Sequence, residues 1–343
     1  MIGGVALLLG LTGLLAALPM APAFVELYQR RDTKPIPVKN RTEMVVDVAQ
    51  DFRSLLEGGS EAARRASPPA NTMVLETDWF VEQGRSILNP IYAKGRLAGS
   101  GNNVFDAIFC EKDVDLGKHA QVLSWVHAEG AVMVPSGSTI HGRLSAGEHV
   151  ELGTECSFER VHAPVVMIAG GAMDMDAEQS RDSDEDHPPS RPRLGLVRTN
   201  DEAPLWNPEP INILELVTER LFVPEDFVLQ PGRVLRKNVV ARGRIHLAEA
   251  SHVIGCLKSN HDMELAPNVR IEGSLVSATN LRIGRGCFVM GPVLAEGELV
   301  IESGTRIGTP THPTTVQAPR IRIAPGVTLH GSLFAPERGR VTG

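Results

Sequence analysis

The sequence predicts an all-β protein, a single-stranded parallel β-helix of about ten 18-residue coils carried behind an N-terminal transmembrane helix. Three observations lead there. Apolar residues recur in columns spaced by 18, Gly and Pro punctuate them, and the first two dozen residues are apolar and uncharged. Aromatics make up only 4% of the 343 residues, against 33 Gly and 24 Pro. That balance suits short strands and tight corners better than a helical bundle.

No charged residue precedes Glu26, and "MIGGVALLLGLTGLLAALPMAPAF" is long enough to cross a hydrocarbon core. Arg30, Arg31, Lys34, Lys39 and Arg41 follow it, and no basic stretch comes before it. Residues 1–28 therefore read as a single-pass anchor in the inner (cytoplasmic) membrane, with the C-terminal domain on the cytoplasmic side. A cleaved signal peptide ending near "ALPMAPA" is the alternative. Residues 29–93 read as a basic juxtamembrane linker with a short helix from Thr42, which places Val45, Val48, Phe52 and Leu55 on one face. Within it, "NTMVLETDWFVEQGRSILNP" is ambiguous.

The coils are expected at 94–173 and 225–336. One column runs Ala98, Leu116, Val134, Leu152, then Leu229, Leu247, Leu265, Ile283, Ile301 and, after a short insertion around "THPTT", Ile323. Six positions on come Val104, Val122, Ile140, Phe158, Leu235, Val253, Ile271, Val289, Ile307 and Leu329. Ten on, the column is mostly aliphatic, with His162 and Thr311 departing from it; twelve on, it is small. Strand alternation turns positions 0, +4, +6, +10 and +12 inward. Glycine at +8 (Gly142, Gly255, Gly273, Gly291, Gly331) suggests a corner with positive φ. No coil buries its own apolar residues, so stability must come from its neighbours.

Between Asp174 and Pro210 lie ten acidic residues, four arginines and six prolines. Residues 174–224 therefore read as an acidic, Pro-rich disordered insertion, and 337–343 as a tail. A net charge of −7 argues against nucleic-acid binding. Cys110, Cys156, Cys256 and Cys287 are too scattered for a disulfide framework and read as reduced thiols of the coil walls.

The stretches "RIRIAPGVTLHGSLFA" (Arg320–Ala335), "MELAPNVRIEGSLVSA" (Met263–Ala278) and "LRIGRGCFVMGPVLAEG" (from Leu281) resemble bactofilin coils. The resemblance spans roughly Lys94–Val166 and Phe227–Ala335. It implies a right-handed β-helix, nucleotide-free polymerisation and membrane attachment through the N-terminus, as in this family of bacterial cytoskeletal proteins. The chain departs from the family pattern in its full-length apolar segment, its acidic insertion and its number of coils.

The main competing reading is a left-handed hexapeptide-repeat acyltransferase, since 18 residues are three hexapeptides. Such an enzyme would need a histidine base. His141 and His330 share position +7 in distant coils, and His119, His127, His149, His252 and His261 show no repeated acidic partner in the sequence. "EKDVD" (Glu111–Asp115) and "AEGE" (Ala295–Glu298) read as solvated corners. "GSGNN", "GRG" and "LGKHA" lack the helix that a phosphate loop requires. No catalytic residue, cofactor or metal is expected. The expected partners are further copies of the chain, the membrane and unidentified proteins. Self-association is expected at an open C-terminal coil, through Val327, Leu329, Leu333 and Phe334, because a terminal coil exposes a backbone edge.

Overall fold

The structure, a computed structural model, describes residues 71–169 and 219–343. These form thirty strands and no helix, wound into a parallel β-solenoid of about twelve turns of ~18 residues. The expected anchor, the Thr42 helix and most of the acidic insertion lie outside the described residues. Among the described residues, no helix is long and apolar enough to cross a membrane.

Each coil has three walls. On wall A, Leu257–Ser259 pairs with Leu275–Ser277; on wall B, Met263–Leu265 pairs with Leu281–Ile283; on wall C, Arg270–Ile271 pairs with Phe288–Val289. All three pairings are parallel, with partners 18 apart, so each coil is the hydrogen-bonding template for the next. The expected columns fill the interior. Leu116, Val134, Leu152, Leu247, Leu265, Ile283 and Ile301 are all buried, as are Cys110, Ala128, Ala241 and Ala335 of the narrow +12 wall, where Ala163 is buried in place of the exposed Pro164.

Two parts of the register differ from expectation. Leu97 pairs with Val114 and Phe105 with Val122, both steps of 17. The inward residues are therefore Leu97 and Phe105, not Ala98 and Val104, since a one-residue slip turns a strand over. The same arithmetic explains the exceptions at +10. Val161, not His162, pairs with Leu144, and Val316, displaced by the "THPTT" insertion, takes the place of Thr311.

Glycine also acts differently from expectation. At +8 only Gly255 and Gly331 have positive φ. The common cause is close approach: a Cβ on Gly273 would lie 2.5 Å from the Gly255 carbonyl carbon, and one on Gly291 would lie 2.7 Å from the Gly273 carbonyl oxygen. The left-handed corner sits at +3 instead. There Gly137, Gly232, Gly286, Gly304 and Gly326 have φ of 65–79°, and His119, Glu155, Ala250 and Asn268 have φ of 54–60°. Asx side chains tie successive corners. The Oδ1 atoms of Asp78, Asp113, Asp226, Asp262 and Asn280 each accept the backbone N–H 18 residues on, at 2.7–3.2 Å.

The solenoid begins and ends further out than expected. Met73–Leu75, Trp79–Val81 and Ser86–Ile87 are the three walls of a first coil, inside the stretch assigned to the linker. Arg220–Val223 opens the second half, and the supposed tail belongs to the strand Thr328–Val341.

The chain also reverses direction. The last strand of the first half, Ser157–Ile168, pairs antiparallel with the last strand of the second, Thr328–Val341, with Val161 opposite Leu333 and Val166 opposite Leu329. Wall A meets wall A, while Phe158 of wall C faces Gly339 of wall B. Reversal about a perpendicular two-fold exchanges walls B and C in this way. The halves thus meet by their C-terminal faces, and both outer ends are N-terminal coils.

Gly273→Ala is expected to lower stability by about 1–3 kcal/mol through overpacking against the preceding coil. Ala250→Gly, which relieves a left-handed alanine, is expected to raise it by about 1 kcal/mol. Chemical denaturation followed by circular dichroism checks both signs.

Candidate interaction surfaces at the solenoid ends

The inner junction is a finished interface. Val327, Leu329 and Leu333 are buried and Phe334 is half-buried. The Arg160 guanidinium lies 4.5 Å from the centre of the Phe334 ring. Gly339 leaves room for the Phe158 ring, which a Cβ there would force to move. Arg340 pairs with Glu155 across the seam, and His162 Nδ1 lies 2.8 Å from Ser332 Oγ. The C-terminal edge expected to stand open is therefore closed by the chain itself, since antiparallel pairing uses up its backbone groups.

The two outer ends are different. Among the described residues, Met73–Leu75, Trp79–Val81 and Ser86–Ile87 each pair on one side only, and so do Arg220–Val223, Phe227–Leu229 and Val234–Leu235. The Met73 amide and the Leu75 carbonyl both bond inward, to Pro90 and Lys94. The N–H and C=O of Val74 between them face the open edge, because strand groups alternate sides. The Phe227 amide and Leu229 carbonyl bond inward in the same way and aim Val228 outward. Exposed large apolar side chains gather on these coils: Val74, Phe80 (63%) and Leu88 at one end, Phe222, Val228 and Val234 (58%) at the other. Trp79, Ile87, Phe227 and Leu235, inward on the outermost coils, are only partly covered.

The remaining candidate residues sit in structural roles. His141 is exposed, and His330 Nδ1 lies 3.2 Å from the Pro164 carbonyl oxygen. His252 does have an acidic partner, two positions beyond its stacked neighbour and so invisible to column reading. Its Nε2 is 3.0 Å from Glu272, which also accepts Arg270 Nε at 2.9 Å. Glu111 accepts from the Tyr92 hydroxyl, and Asp115 accepts the Gly117 amide at 3.0 Å. Cys110, Cys156 and Cys287 are buried and Cys256 is exposed; none is in a disulfide. Burial pushes the Cys287 thiol up to about 11, which leaves it unreactive at neutral pH. Among the described residues, no group of His, Cys, Asp or Glu could hold a metal ion. Arg282 and Glu302, paired at 2.8 Å, line an open groove of the second half, and Arg322, which also lines it, pairs with Glu298 at 2.9 Å.

Comparison with family models, with curated proteins and with solved structures finds no match to this chain.

His127 and His162 share one face of wall A, with His127 Nδ1 2.8 Å from Ser145 Oγ. Burial holds both imidazoles below their usual 6.5, and for His127 the nearby His162 adds to the effect. The unfolded chain therefore takes up these protons first as pH falls. The stability they leave intact at neutral pH is lost on acidification through about 6.5. The thermal midpoint is expected to fall between neutral pH and about pH 5, and less steeply in His162→Gln.

Proposed function

We propose that the chain is a membrane-anchored, bactofilin-like scaffold that acts by end-to-end self-association of its solenoid and by recruiting other proteins along the assembly. In this reading the coil is right-handed. Residues 1–28 span the inner membrane once, and the solenoid lies on the cytoplasmic side.

One observation carries the proposal. Among the described residues, both outer ends present a one-sided strand edge beside exposed apolar side chains, Val74, Phe80 and Leu88 at one and Phe222, Val228 and Val234 at the other. Unpaired edges of this kind template pairing with another chain. The internal junction supports the reading because it is itself an antiparallel face-to-face pairing of two coil ends. Two N-terminal faces can meet by the same rotation, so every contact between copies would repeat one geometry.

The full chain in detergent is expected to form rods of several solenoid lengths by electron microscopy, each repeat ~62 Å, about twelve steps within a solenoid and one across the contact at ~4.8 Å each. Val74→Asp with Phe222→Asp is expected to reduce them to single solenoids while the circular dichroism stays unchanged. Rods of undiminished length in that variant would show that the ends are not the contact.

A further inference from the structure

We infer that the solenoid docks end to unlike end: the Met73–Ile87 coil of one copy meets the Arg220–Leu235 coil of the next. This rests on the self-association reading above and adds which end pairs with which. Geometry alone does not decide it. Both ends are N-terminal coils, so first-to-first, second-to-second and first-to-second contacts are all antiparallel and all satisfy the same backbone edge. Charge does decide it.

The first half, residues 71–169, carries seven Lys/Arg against twelve Asp/Glu, a net −5. The second half, residues 219–343, carries fifteen against eleven, a net +4. The outermost coils follow the same signs. Residues 71–90 hold Glu76, Asp78 and Glu82 against Arg85, net −2. Residues 219–237 hold Arg220, Arg233, Arg236 and Lys237 against Glu219, Glu225 and Asp226, net +1. Two first ends or two second ends repel, and a first end attracts a second. The charges lie at the rim of a close contact, within about one Debye length at physiological salt, where such differences select partners.

The exchange of walls sets which charges meet. In an antiparallel contact, wall B of one copy faces wall C of the next, as Phe158 faces Gly339 inside the chain. Asp78 and Glu82, the latter paired with Arg85, flank wall B of the first end, Glu225 and Asp226 flank wall B of the second, and Arg233 and Arg236 flank wall C of the second. Acids of either end can therefore meet these arginines, and the net charge of the ends makes the choice between them. The internal seam joins the same two halves by the same signs, with Glu155 of the acidic half on Arg340 of the basic half. Because each contact uses two different surfaces, it does not close on itself and yields an open, polar chain of rods. The competing occupant of the basic half is the acidic stretch between Asp174 and Glu209 of the same chain.

The test uses full-length variants with one exposed cysteine in a Cys256→Ser background, where Cys110, Cys156 and Cys287 stay buried, treated with a short thiol-to-thiol cross-linker. Val74→Cys marks the first end and Phe222→Cys the second. Covalent dimers are expected only when the two variants are mixed, with a yield that falls several-fold as salt is raised. Dimers formed within either variant alone would overturn unlike docking while leaving self-association standing. Assemblies that sediment as multimers without any cross-link would overturn it by placing the contact elsewhere. Sedimentation as single solenoids, as when the acidic stretch occupies the second half, would overturn both readings. Glu76→Lys with Glu82→Lys takes the first end from −2 to +2, and Arg233→Glu with Arg236→Glu takes the second from +1 to −3; all four together are expected to keep the mixed cross-link, and either end changed alone is expected to lose it.

Discussion

A coil of about 18 residues has no inside of its own. Its aliphatic side chains are covered only by the coils above and below, and its backbone groups find partners only there. Everything else in the solenoid follows from this lateral pairing. It fixes the columns, because a residue must match the one a coil away. It fixes the glycines at +8, where the backbone of one coil lies against the carbonyl of the preceding one. It also makes the ends the critical places, since a stack that merely stops leaves an edge unpaired.

The chain deals with its four coil ends unequally. Two are joined to each other in the antiparallel seam between Ser157–Ile168 and Thr328–Val341, where Phe158 lies on Gly339 and Arg160 covers Phe334. The other two keep partly covered inward residues and exposed outward ones. Coupling two C-terminal faces within one polypeptide gives a rod whose ends are alike in backbone and unlike in charge.

Much of this was legible in the sequence, for physical reasons. Leu116, Leu247 and Ile283 read correctly because an inward wall position tolerates little besides aliphatic side chains. Ala98 and Val104 did not, because a 17-residue step preserves the apolar character of the window while turning the strand over. The left-handed corner at +3 was hidden because His119, Glu155 and Ala250 adopt it beside the glycines. The first coil was masked because a terminal coil is covered on one side only and accommodates polar and aromatic residues such as Glu76 and Trp79. The reversal left no trace, because both halves have the same columns whichever way they are stacked. The expected open contact at Leu329 and Phe334 failed for that reason, while the edges that are one-sided among the described residues lie in the stretch assigned to the linker and, at Arg220–Leu235, across the boundary between the insertion and the expected second run of coils.

The reversal is the central claim, and one distance tests it. Spin labels at Val74 and Phe222, in full-length Cys256→Ser protein diluted with unlabelled chain, report the separation of the two outer coils by pulsed electron resonance. With the C-terminal faces joined, the labels are twelve coil steps apart, about 55–60 Å at ~4.8 Å per step. If the second half simply continued the stack of the first, they would be six steps apart, and a dominant distance near 30 Å would contradict the antiparallel seam.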